Sequence, residues 1–157
     1  APQDVEAILY DGLASLPHFN PDDDREPLPP SAAALRAQLA RADAVLFCTP
    51  EYAGSLPGAF KNLLDWTVGE GLYEKPVAII NSAALGGAAG AHATLRVVLG
   101  YVNADVVEDA CVHIPVRRDV VGADGVIADL AIQQGIAAAL QALAKHVALR
   151  VRSALTR

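Results

Sequence analysis

The sequence predicts a doubly wound parallel α/β sheet with helices on both faces. Three observations lead there: strand-like and helix-like segments alternate from end to end, the run Ala44 to Cys48 is continuously apolar as in a strand buried on both faces, and loops rich in Gly, Pro and Ser follow the strand-like runs. Such loops lie beyond the carboxyl ends of the strands, where open α/β sheets bind their ligands. The 157 residues suffice for one self-sufficient core, and a 53% hydrophobic content agrees with a single domain spanning 1–157.

Val5 to Tyr10 reads as the first strand. Asp11 to Pro30 reads as a loop carrying a solvated acidic cluster, Asp22, Asp23 and Asp24. Ser31 is placed to cap a helix whose Leu35 and Leu39 share one face. Ala44 to Cys48 is the second strand. Pro57 suits the first turn of the next helix, where its missing N–H has no intrahelical partner, and Phe60, Leu63, Leu64 and Val68 recur at helical spacing until Gly69 and Gly71 stop it. Val77 to Asn81 is the third strand, followed by the loop Ser82-Ala83-Ala84-Leu85-Gly86-Gly87-Ala88-Ala89-Gly90. A helix from about His92 to Tyr101, a strand from about Val106 to Ile114 and a helix from about Ala128 to Val151 complete the pattern. The stripe Ile132, Ile136, Leu140, Leu143 and Val147 faces the last helix toward the core.

A doubly wound sheet of order 2-1-3-4-5 needs a central strand joining its second strand to its third, and that strand has no counterpart in this sequence. The expectation is that a further strand–loop–helix unit of about 25 to 30 residues precedes Ala1 in the polypeptide.

Eighteen acidic against twelve basic residues give a net charge of −6, which disfavours nucleic acid and anionic membrane as partners. No apolar run approaches the ~20 residues of a membrane span, and a cytoplasmic location is expected. Cys48 and Cys111 lie far apart in apolar runs and read as buried free thiols. His18, His92, His113 and His146 show no metal-ligand spacing, so no metal is expected. Arg150, Arg152 and Arg157 read as a solvated basic end of the last helix.

The segment TPEYAGSLPGAFKNLLDW, 49–66, resembles the PEYNxSxPGxLKNxxDW signature of the NADPH-dependent FMN reductases, a flavodoxin-like group of chromate, quinone and azo-dye reductases. The resemblance continues through KPVAIINSAALGGAAGAHATLRVVLGYVNADVV, 75–107, and roughly Val5 to Val147 follow the family pattern in order. Two departures stand out. Ala53 takes the place where the family most often has Asn, and the family's GSxRxxS-like phosphate loop has no counterpart, so it belongs to the unit expected before Ala1.

The resemblance implies a flavodoxin-like fold that binds FMN. Pro50, Glu51, Tyr52 and Ala53 would run along the ring and ribityl chain, where N–H groups donate to the ring edge and an aromatic covers its face. Ser82, Gly86 and Gly87 would form the second flavin loop, where missing side chains let the backbone approach a planar ring. NADPH or NADH would supply hydride, and a quinone, azo compound, metal oxyanion or free flavin would accept electrons from the same pocket, giving ping-pong kinetics. The family also implies a homodimer or homotetramer, with the helix carrying Trp66 as a plausible seam.

No residue is assigned as catalytic, because the flavin itself carries hydride chemistry. Glu51 reads as a hydrogen-bonding residue of the loop or a contact to a second subunit, while Lys61, Asn62, Asp65 and Trp66 read as structural or interfacial. The alternatives are a flavodoxin-type electron carrier, a flavin-free binding domain and a nucleoside-cleaving enzyme that uses Glu51, with Asp11 as its only acidic companion.

Overall fold

A computed structural model describes residues 1–84 and 86–155, the last by its backbone alone. Of the features named above, Leu85 of the Gly-rich loop and Arg157 of the basic tail lie outside the described residues. The sheet is built on β2 (Pro76–Asn81), whose first five residues are all buried. On one edge β1 (Val45–Phe47) runs parallel to it, pairing Val45 with Val77 and Phe47 with Ile79. On the other edge lie β3 (Asp105–Val106) and β4 (Val112–His113), also parallel. These neighbours reproduce the 3-4-5 part of the expected order, and the fold is flavodoxin-like.

The last strand-like run is not continuous, contrary to expectation. β3 pairs Val77 with Val106 and β4 pairs Ile80 with Val112, so three extra residues are absorbed between the two pairings. They fold into a 3₁₀ turn, Glu108–Ala110, which carries Ala110 to full burial beneath the last helix. The ladder continues on either side of this bulge: Val107 N–H donates to Val77 O at 2.9 Å and Ile114 N–H to Asn81 O at 2.8 Å.

Val5 to Tyr10 does not form the predicted strand. It pairs with no strand among the described residues, and Ile8 and Leu9 are 69% and 87% exposed. A β-prone segment gains ladder hydrogen bonds only beside a free strand edge, and this one lies beside none of the four strands. Tyr10 alone packs against the core.

Side-chain alternation along the strands divides the molecule into layers. Phe47, Val77 and Ile79 face α1 (Pro30–Arg41), α2 (Gly58–Asp65) and α3 (Ala89–Tyr101), and join Leu35, Leu39, Leu63, Leu64, Leu95 and Leu99 in the main core. Ala78 faces the other way with Leu46 and Ala44, and packs with Val107, Ala110 and Leu143 of α4 (Leu130–Leu155). Of the stripe predicted on α4, Leu143 alone is buried; the centre of the contact is completed by Ala139, and Ile132, Ile136, Leu140 and Val147 are half-buried.

Helix ends differ from expectation for local reasons. Pro30 occupies the first turn of α1 with Pro29 before it, so Ser31 lies inside the helix and caps nothing. α2 ends at Asp65, which leaves Val68 beyond it and 52% exposed. α3 begins three residues early, at Ala89. α4 begins at Leu130, where Asp129 Oδ1 accepts from the backbone N–H of Ala131 at 2.9 Å and of Ile132 at 3.1 Å.

The signature residues of α2 are structural. Trp66 is wholly buried; its indole N–H donates to Pro17 O at 2.9 Å and its ring meets Phe19 edge to face at 5.0 Å. Asn62 donates to the same carbonyl at 2.9 Å and accepts from Phe19 N–H at 2.8 Å. Together they strap the 12–20 loop onto α2, so Trp66 is core and its ring is not available as a subunit seam. Lys61 and Asp65 form an ion pair one turn apart.

Two charged groups expected in solvent are engaged. Asp24 pairs with Arg36 at 2.6 Å, and Arg36 Nε also donates to Trp66 O at 3.0 Å. Arg150 donates to Asp105 at 2.8 Å and to Glu74 O at 2.6 Å, while His146 meets the same Asp105 carboxylate at 2.7 Å, so the end of α4 is tied to the start of β3.

Trp66→Ala is expected to lower the unfolding free energy by about 3–5 kcal/mol. Urea denaturation at several protein concentrations checks this: a loss that does not change on dilution marks a core residue, and one that grows on dilution would mark an interface.

Candidate functional site

The seven residues singled out by sequence stand on two loops at the carboxyl ends of adjacent strands. Pro50, Glu51, Tyr52 and Ala53 follow β1, and Ser82, Gly86 and Gly87 follow β2. Thr49, at the root of the first loop, is buried, whereas Pro50 and Ala53 are exposed and Tyr52 is 64% exposed.

The first loop is a tight hairpin turn. Tyr52 N–H donates to Ser55 O at 3.0 Å and Ser55 N–H returns to Tyr52 O at 3.1 Å, with φ of +51° at Ala53 and +75° at Gly54. Two consecutive positive φ values define a type I′ turn, which favours Asn-Gly. Ala53 therefore sits in the left-handed region without the short polar side chain that eases it. The departure from the family's Asn changes backbone energy as well as removing an amide.

The turn is latched to the start of α3. Glu51 Oε2 accepts from Ala91 N–H at 2.9 Å, supplying the helix with the carboxylate cap that α3 lacks from its own preceding residues. Ser55 Oγ lies 3.4 Å from Thr94 Oγ1, which donates to Gly90 O at 2.9 Å. The fit is so close that a Cβ built on Gly90 would overlap the Gly54 carbonyl oxygen. Glu51 is thus engaged at a helix end through one carboxylate oxygen.

The second loop is held at its neck. Asn81 Nδ2 donates to Gly87 O at 3.1 Å and Asn81 Oδ1 accepts from Ala83 N–H at 3.0 Å. From β4, His113 Nε2 meets Ala83 O at 2.8 Å, and Val116 N–H donates to Ser82 O at 3.0 Å. Gly86 is exposed with φ +66° and open space where a Cβ would stand, and Gly87 is also exposed. Across the strand ends, Cys48 Sγ lies 3.6 Å from Ser82 Oγ. Cys48 is exposed rather than buried, because the outer side of β1 carries no further strand among the described residues.

Sequence reasoning missed the residues that fasten the loops: Asn81, Gly90, Ala91, Thr94 and His113. Gly90 carried a readable signal as the one glycine inside the first turn of α3. Ala91 acts through its backbone N–H, which no side-chain pattern announces, while Asn81, Thr94 and His113 bond main-chain groups of the loops whose nearness spacing does not reveal. Sequence reasoning also passed over His92, in the first turn of α3. Its Nε2 is buried and has no hydrogen-bond partner, and burial first, then Arg96 and His113, push its imidazole below the ordinary value against the pull of Glu51. On the next turn Arg96 binds Glu108 through both guanidinium nitrogens and holds its carboxyl below the usual range.

What converges here is an exposed aromatic ring, a hydroxyl, two bare glycines and backbone groups leaving two strand ends. That donor set suits a flat ligand with a polar edge. Among the described residues no three His, Cys, Asp or Glu side chains stand together as a metal site.

The chain is similar to known proteins. The family model for NADPH-dependent FMN reductase matches residues 1–119. A 2-hydroxy-1,4-benzoquinone reductase of Burkholderia is 39% identical over 108 residues, covering 66% of this chain and 58% of that protein. A quinone reductase of Escherichia coli is 34% identical over 112 residues, covering 68% of this chain and 59% of that one. The chain thus spans under two thirds of the length of these relatives. Among solved structures, a flavoenzyme NAD(P)H:(acceptor) oxidoreductase from Paracoccus denitrificans superposes with a TM-score of 0.66 at 31% identity, over 85% of this chain and 78% of that one.

Ala53→Asn is expected to stabilise the protein by about 0.5–1 kcal/mol by relieving the left-handed turn. Gly90→Ala is expected to cost about 1–3 kcal/mol as the two loops are forced apart. Chemical denaturation of the two variants beside the parent protein checks both signs.

Proposed function

Because the chain belongs to the NADPH-dependent FMN reductase family, we propose that its two rim loops hold FMN in an oxidoreductase that takes hydride from NADPH or NADH. The observation that carries the reading is an exposed Tyr52 turn beside an open Gly86–Gly87 crest on neighbouring strands, the turn fixed to α3 through Glu51 and Ala91.

In this reading Pro50, Glu51, Tyr52 and Ala53 flank the ring system. The Tyr52 ring lies along an apolar face, and the backbone of the 50–53 segment offers donors to the polar edge. Ser82, Gly86 and Gly87 approach from the other side without side chains that would hold the ring off. Glu51 acts through position: its carboxylate is held by Ala91 N–H and keeps the turn against α3. When bound, FMN supplies the redox chemistry, accepting hydride from the nicotinamide and passing electrons to a small acceptor. The relatives' quinone acceptors make a quinone the first compound to try. We also propose one domain over 1–157, a cytoplasmic setting and a homo-oligomer. Among the described residues no helix is long and apolar enough to cross a membrane.

Titrating the purified protein with FMN and adding NADPH under nitrogen tests the reading. Saturable binding followed by loss of the oxidised flavin absorbance is the expected result, with parallel-line initial-rate patterns when a quinone is supplied. Flavin binding without reduction would point to an electron carrier, and no binding would overturn the proposal. On a sizing column the protein is expected to run larger than its 16.3 kDa chain.

A further inference from the structure

The buried, unpartnered nitrogen of His92 is the one such side-chain atom among the described residues, and it sits at the junction of the two loops. His92 occupies the fourth position of α3, one residue after Ala91, whose N–H holds the Glu51 carboxylate. The charged and titratable groups around it are Glu51 from the first loop, His113 from β4 and Arg96 from its own helix. Arg96 keeps its charge through its double bond to Glu108, and His113 is engaged with Ala83 O.

A neutral imidazole is tolerated in such a place. A charged one is disfavoured: its buried Nε2 would carry a proton with no acceptor, and Arg96 and the His113 imidazole oppose the charge. The single group that attracts it is Glu51, and the Glu51 oxygen nearest α3 is already used by Ala91. Protonation, unless Glu51 bridges Ala91 and His92 together, leaves two courses. Either the ring swings out to water, or the carboxylate turns toward it and leaves the helix end. Both loosen the contact between the Tyr52–Ser55 turn and α3, where Gly54 and Gly90 approach closely.

We propose that His92 is a positioning residue whose neutral imidazole keeps the Glu51–Ala91 latch closed, so that acidification releases the first ligand loop. The proposal deepens the flavin reading above and rests on it for its functional consequence, but the latch itself exists without any ligand. The sign follows from the lowered imidazole value in the folded chain. The unfolded chain takes up the proton first, so the closed arrangement is fully favoured above about pH 6.5 and weakens as pH falls toward the folded-state value.

Amide exchange at Ala91, followed by NMR and corrected for intrinsic exchange, reads the latch directly. Its protection is expected to fall about fivefold between pH 7 and pH 5.5, the scale of one lost helix cap, and to stay level in His92→Gln. His92→Asn provides the same comparison if the first variant folds poorly. Protection that stays level in the parent protein, that rises on acidification because Glu51 bridges Ala91 and His92 together, or that falls equally in the variants would overturn the proposal. The FMN dissociation constant at the same two pH values is expected to weaken in the parent protein and remain level in His92→Gln. Absence of FMN binding at both pH values would count against the flavin reading, while the exchange data still decide the role of His92.

Discussion

The architecture depends on β2 being sealed on every side. Pro76 to Ile80 are buried on both faces, and the strand is paired on both edges, by β1 on one and by β3 with β4 on the other. A strand in that position needs apolar residues at every step, which is why it reads as PVAII and why polar character returns only at Asn81. Asn81 is also where the sheet stops and the site begins: its side chain closes the neck of the second loop. One strand thus fixes the two layers, the position of β1 and the rim from which both loops rise.

From that rim the loops are made rigid by different means. The first is a hydrogen-bonded turn with two left-handed residues, anchored outward to a helix end by Glu51. The second is open at Gly86 and is held only at its neck and from β4. The two loops rise side by side from adjacent strands.

Long apolar periodicity was legible in the sequence, and so was the placement of all seven site residues on two loops of one rim. Three of the four predicted strands were found, although the last was drawn as continuous across Glu108 and Asp109, where a three-residue bulge buries Ala110. Val5 to Tyr10 has the composition of a strand, but composition cannot supply the neighbouring edge that a strand requires. Helix starts were misplaced where proline geometry or a distant carboxylate served as the cap: Ser31 yielded to Pro30, and α3 took its cap from Glu51, forty residues earlier. The fastening of the loops was hidden for the same reason, since Ala91 and the Gly90–Gly54 approach act through main-chain atoms.

The family-like signature 49–66 therefore serves two separate ends. Its second half, Asn62 and Trp66, is spent on strapping the 12–20 loop to α2, with the Pro17 carbonyl receiving both side chains. Its first half shapes the turn and supplies Glu51 to α3. The side chains of Pro50 and Tyr52 serve neither end and stay exposed. This division explains how Ala53 is accommodated: the turn's two reciprocal hydrogen bonds are main-chain bonds and survive the loss of an amide, so the geometry of the ligand-facing crest is kept at the expense of a residue held in an unfavourable φ. A departure from the family pattern at that position is therefore felt by the scaffold first, because the bonds that hold the turn belong to the backbone.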